Sequence, residues 1–116
     1  MDLDELVSDW LTLPDLAERI DLPLSKVRQL IREGRLVAIG RGSPPVKQVP
    51  AAFVVDGKLI KGLAGALTVL HDAGYRDEEA LRWLFTDDAA IPGRPVDAMA
   101  EGRDTAVKRR AMVLAF

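Results

Sequence analysis

Ser25, Lys26, Arg28, Gln29 and Arg32 lie in one short stretch, and at about 100° per residue Ser25, Arg28, Gln29 and Arg32 share one arc of a helix, with Lys26 on its flank. An arginine fork matches the O6 and N7 edge of guanine, a glutamine amide matches adenine, and serine or lysine reaches phosphate oxygens. That arc has the chemistry for reading duplex DNA; the plainer alternative is a solvated helix face. The surroundings favour the first. From Leu24 to Lys47 the basic residues Lys26, Arg28, Arg32, Arg35, Arg41 and Lys47 meet a single acid, Glu33.

Two helices joined by a sharp turn are needed to present such an arc. Leu13, Leu16, Ala17 and Ile20 repeat at helical spacing, with Thr12 placed to cap and Pro14 suited to a first turn. A second stripe of Leu24, Val27, Leu30 and Ile31 begins around Pro23 and stops at Gly34, so only Asp21 and Leu22 are left for the turn. Two β-prone runs follow, Arg35 to Ile39 and Val46 to Val49, around Gly40-Arg41-Gly42-Ser43-Pro44-Pro45. We read them as a hairpin wing with Arg41 near its tip, where a cation can meet the sugar-phosphate backbone or the minor groove. The expected fold is mainly α with a small β-hairpin wing: a winged helix-turn-helix over residues 12–61, after an acidic segment at 1–11 and before a C-terminal helical bundle at 62–116. The residues expected to touch DNA are Ser25, Lys26, Arg28, Gln29, Arg32, Arg35, Arg41 and Lys47.

Composition narrows the class. The chain has 116 residues, 48% of them hydrophobic, enough for one modest core with two sub-regions. It has no cysteine, which excludes a disulfide framework or a thiolate metal site. No apolar run approaches a membrane span, and the first residues are acidic where a signal peptide is basic, so the expected location is the cytoplasm, on the nucleoid. The net charge of −2 argues against a polyanionic partner only as a sum. Asp2, Asp4, Glu5 and Asp9 concentrate the acid at the start, and local field governs approach to DNA. That start reads either as a frayed tail or, through Leu3, Leu6, Val7, Trp10 and Leu11, as a docking helix.

Further along, Asp56-Gly57 between Phe53-Val54-Val55 and Lys58-Leu59-Ile60 signals a tight hairpin, either beside the wing or as a separate ribbon. Leu63, Ala66, Leu67 and Leu70 mark a helix ending at Gly74, with His71 structural for want of a second ligand. Asp77 is expected to cap the next helix, whose Ala80, Leu81, Leu84, Trp83 and Phe85 belong to the core. A loop at 87–94 leads to a short helix from Pro95 to Met99 and a last helix capped by Asp104, in which Val107, Ala111 and Leu114 share a face and Lys108, Arg109 and Arg110 read as a solvated cationic end in preference to a contact with DNA phosphates. No catalytic constellation emerges: there is no nucleophilic cysteine, no histidine pair and no phosphate-binding glycine loop, so neither enzyme chemistry nor a cofactor or metal is expected.

Over nearly its whole length the chain resembles the small actinobacterial winged helix-turn-helix DNA-binding proteins. The match rests on Leu22-Pro23-Leu24-Ser25-Lys26-Val27, on Arg32 to Ala38, and more specifically on Leu70-His71-Asp72-Ala73-Gly74-Tyr75-Arg76-Asp77, Arg82-Trp83-Leu84-Phe85-Thr86 and Gly93-Arg94-Pro95-Val96-Asp97-Ala98. The resemblance implies DNA binding through the helix carrying Ser25 to Arg32, and control by a serine/threonine kinase. The C-terminal part is also similar to the toxin-binding domain of certain antitoxins, through Ala80, Arg82-Trp83-Leu84 and Gly93-Arg94-Pro95, although the ending Met112-Val113-Leu114-Ala115-Phe116 departs from that family's. The first reading is therefore a DNA-binding protein, a transcription regulator or architectural binder, with a homodimer formed through its C-terminal helices. The second is an antitoxin-like adaptor whose C-terminal helices bind a partner protein or toxin.

Overall fold

A computed structural model describes residues 2–115. The chain opens with a one-turn helix, α1 (Leu3–Leu6), and a short strand, β1 (Trp10–Thr12), before α2 (Leu13–Arg19) and α3 (Leu24–Arg32). Strands β2 (Ile39–Arg41) and β3 (Val46–Pro50) form the wing. A 3-10 turn (Ala51–Phe53) then leads to the ribbon β4 (Val54–Val55) and β5 (Lys58–Leu59), and the helices α4 (Leu63–Asp72), α5 (Asp77–Leu84), α6 (Pro95–Ala100) and α7 (Asp104–Leu114) complete the fold. It is a winged helix-turn-helix followed by C-terminal helices, as the periodicity predicts.

The helix pair is built as its residues dictate. Thr12 Oγ1 accepts the Asp15 N–H (3.3 Å) and Pro14 occupies the first turn. At the other end of α2 the Leu22 N–H donates to the Ala17 carbonyl (3.0 Å) and Asp21 takes a positive φ of 54°. That is the hydrogen-bonding of a Schellman stop with aspartate in the place usually held by glycine. It turns the chain within two residues, and Pro23 becomes the N-cap of α3. The end of α3 repeats the motif with Gly34 at φ 74° and the Arg35 N–H donating to the Leu30 carbonyl (2.9 Å).

The sheet departs from expectation in two places, the start of β1 and the start of the wing. Trp10 and Leu11, expected in a helix or a tail, pair as a strand with Pro50 and Val49, giving the order β1-β3-β2. The first wing strand starts only at Ile39, because Leu36, Val37 and Ala38 are spent on the core instead of on pairing. Asp56-Gly57 makes a hairpin with positive φ at both residues, as a type I′ turn requires, and it forms a ribbon separate from the wing.

One hydrophobic cluster runs through both halves, from Val7, Leu16 and Val27 to Leu67, Leu81, Val107 and Ala111. Asp77 and Asp104, expected as caps, are the first helical residues, with Arg76 and Arg103 at the cap positions. For α5 the Glu79 carboxylate reaches back to the Arg76 N–H (3.1 Å). That bond, then the Arg76 guanidinium, holds its carboxyl below the ordinary range. Arg94 grips Asp97 with two bonds (2.7 and 2.9 Å), donates to the Leu6 carbonyl (3.4 Å) and lies 5.5 Å over the Phe85 ring. It thereby ties the end of α1 to the C-terminal helices, and α1 packs on α5. Asp88 accepts the Ala90 N–H (2.9 Å) and pairs with Arg110 (3.1 Å), and both contacts lower its pKa, the backbone bond foremost. Arg110 is thus engaged by the fold, where the sequence suggested a solvated end. Among the described residues no helix is long and apolar enough to cross a membrane.

Candidate nucleic-acid interface

Helix α3 buries Val27 completely and half-buries Leu24, Leu30 and Ile31, which turns Ser25, Arg28 and Arg32 outward as exposed side chains. Lys26 and Gln29 lie at the edges of that arc and are half-buried. Gln29 is not free: its Nε2 donates to Glu33 Oε2 (3.1 Å), one turn on. A bidentate contact to adenine uses the amide oxygen and one of the two amide N–H groups, so the bond to Glu33 occupies one donor of Gln29 and orients its amide.

Arg35 follows the Gly34 turn and is exposed. Among the described residues no ion pair engages Lys26, Arg28, Arg32, Arg35 or Lys47. Five uncompensated cations on α3, at its end and on the wing therefore create a local positive field within a chain of net charge −2. Apart from Glu33 at the end of α3, the acids lie off α3 and the wing, with Asp77, Glu78 and Glu79 opening α5 and Asp2, Asp4 and Glu5 on or beside α1.

The wing divides its two cations between opposite faces. Arg41 pairs with Val46 and Gly40 with Lys47, while Trp10 pairs with Pro50 and Leu11 with Val49. Opposed residues share a face and successive ones alternate, so Arg41 stands with Trp10 and Lys47 with the buried Leu11 and Val49. Lys47 is exposed beyond the edge of the core. Arg41 is held: its guanidinium lies 4.4 Å over the Trp10 ring and donates to Asp4, leaving the side chain 29% exposed.

Of the eight residues singled out from sequence, the structure brings Ser25, Lys26, Arg28, Gln29 and Arg32 onto one helix, sets Arg35 at its end and leaves Lys47 open on the wing. Arg41 faces the acidic N-terminal segment. Sequence reasoning missed Asp4 and Trp10 as its partners; neither residue carries a local signal, since the pairing depends on sheet register across 37 residues. His71 sits at the join of the two regions, its Nε2 3.2 Å from Asp77 Oδ1, with Gly34 packed close by.

Residues 2–54 match the profile described as the DNA-binding protein Rv2175c winged helix-turn-helix domain, and residues 60–115 match that described as the Rv2175c C-terminal domain of unknown function. The chain is 41% identical over 129 aligned residues to the DNA-binding protein Rv2175c of Mycobacterium tuberculosis, spanning all of this chain and 85% of that protein. It is also similar to the solution NMR structure of Rv2175c, with a TM-score of 0.81 at 40% identity over 93% of this chain and 82% of that one.

Proposed function

The chain belongs to the Rv2175c family of winged helix-turn-helix DNA-binding proteins, and from that premise we propose that it binds duplex DNA with α3 in the major groove, as a transcription regulator or architectural protein. The observation that carries the reading is the set of unpaired cations on α3 and the wing, outward of a fully buried Val27. In this reading Arg28 meets a base edge. Ser25, Lys26, Arg32 and Arg35 fix the helix on phosphates, and Lys47 holds the backbone from the wing. Residues 12–61 carry these contacts and residues 62–116 support them through the shared core. The reading is of a binding protein of the cytoplasm, associated with the nucleoid, and not of an enzyme.

Arg41 and Lys47, both wing cations, are expected to behave differently. Lys47→Ala should weaken a selected and a scrambled duplex alike, by about three- to tenfold, because it removes one phosphate contact. Arg41→Ala should change affinity less, since Asp4 already neutralises that charge. Fluorescence anisotropy titrations of the full chain against both duplexes measure this directly. Failure of the unsubstituted chain to bind either duplex, or indifference of its affinity to reversing the charges of Arg28 and Arg32, would sink the reading.

The remaining partners rest on less surface. Met112 and Val113 are 49% and 56% exposed on α7, and a homodimer or an adaptor contact would close over them. Phe116, part of the expected apolar ending, lies outside the described residues. A stable interface needs about 1,000 Å² or more in total, and two side chains supply a small part of it, so DNA binding is the better-supported reading. A serine/threonine kinase would have an accessible hydroxyl at the exposed Ser25, where a phosphate would set a dianion among the DNA-facing cations, whereas Thr12 Oγ1 already caps α2.

A further inference from the structure

We propose that α7 supplies an additional contact to the DNA backbone through Lys108, so that the C-terminal region takes part in binding as well as in support. The proposal rests on the DNA-binding reading above. The stem of Lys108 lies across Gly65 of α4: its Cδ and Nζ are 3.7 Å, and its Cε 3.8 Å, from the place a β-carbon on Gly65 would take. The side chain is thus laid against α4 at Gly65. Gly65 also lines a cleft of about 250 Å³, together with Leu30 and Arg35 from the helix-turn-helix and Leu59, Ile60 and Leu63. Gly65 is thus shared by the Lys108 stem and by the cleft that Arg35, the cation at the end of α3, also lines.

No ion pair among the described residues engages Lys108, Arg35 or Lys61, which is exposed between two residues of the cleft wall. Asp104, one turn earlier on α7, faces Gly62 and forms no ion pair with Lys108. The cations of α3 consequently continue past Gly34 onto the C-terminal helices. A duplex that takes α3 into its major groove carries phosphates on both sides of that groove, and an unpaired ammonium seated on a residue of the cleft that Arg35 lines has the chemistry to meet one.

The test uses the full chain and a salt series of anisotropy titrations. Lys108→Gln is expected to weaken selected and scrambled duplexes alike, by about three- to tenfold near 0.1 M salt, and to make the slope of log K against log salt shallower by roughly 0.9. Lys108→Arg should restore both quantities, and thermal unfolding should move little in either variant because the residue is exposed. An unchanged slope in Lys108→Gln, while Lys47→Ala still weakens binding, overturns this proposal and leaves the DNA reading intact. Absence of duplex binding by the unsubstituted chain removes the reading itself.

Discussion

Arg28→Ala is expected to cost about 1–3 kcal/mol of discrimination between a selected duplex and a scrambled one, a loss of roughly five- to 150-fold in specificity. Arg28 sits mid-arc on α3, exposed and unpaired, with Ser25 and Arg32 one turn to either side and the buried Val27 behind. A side chain so placed reaches a base edge only if its neighbours hold the helix against the phosphates, so specificity and overall affinity should separate between residues. Arg32→Ala should then lower both affinities alike, whereas Arg28→Ala should lower the selected one much further. Titration of each variant against the two duplexes at one salt concentration decides it. An equal loss on both duplexes for Arg28→Ala would make α3 a phosphate clamp and the protein a non-specific binder.

Gly62→Ala is expected to destabilise the fold by about 2–5 kcal/mol. Gly62 caps α4 at φ 88°, a left-handed conformation that costs a side-chain-bearing residue roughly 1–2 kcal/mol. A β-carbon there would also stand 2.6 Å from Cβ of Asp104, an atom fixed by the backbone of α7, and such overpacking adds about 1–3 kcal/mol. Against a typical total of about 5–15 kcal/mol the sum is large, and the melting temperature should fall by roughly 10–20 °C. Gly74→Ala provides the comparison: φ is 94° but nothing lies within 4 Å of the new β-carbon, so only the conformational cost applies. Equal losses in the two variants, measured by thermal or urea unfolding, would contradict the close approach of α4 and α7.

The helix-turn-helix was legible in the sequence because its signals are local. Leu24, Val27, Leu30 and Ile31 repeat at helical spacing, and Pro23 and Gly34 punctuate the ends within a residue of where the structure has them. Asp56-Gly57 announced its hairpin for the same reason. Strand β1 was not legible: three residues carry no period, and Trp10–Thr12 become a strand only by pairing with β3, almost forty residues away. The placement of Arg41 was hidden likewise, since its seat on Trp10 and its bond to Asp4 follow from that register. Asp77 and Asp104 moved from cap to first turn because a carboxylate suits both positions, and only the backbone tells them apart. The seat of Lys108 across Gly65 joins two helices that have no sequence signal for one another.

The central claim, that unpaired cations on α3, the wing and α7 bind the phosphates of a duplex, is tested most directly by the salt dependence of the affinity of the unsubstituted chain. With about four to five phosphates neutralised, log K should fall linearly against log salt with a slope of roughly −4, an affinity loss of about 10²–10³-fold between 50 and 200 mM. A slope near zero, with binding still measurable, would contradict the account.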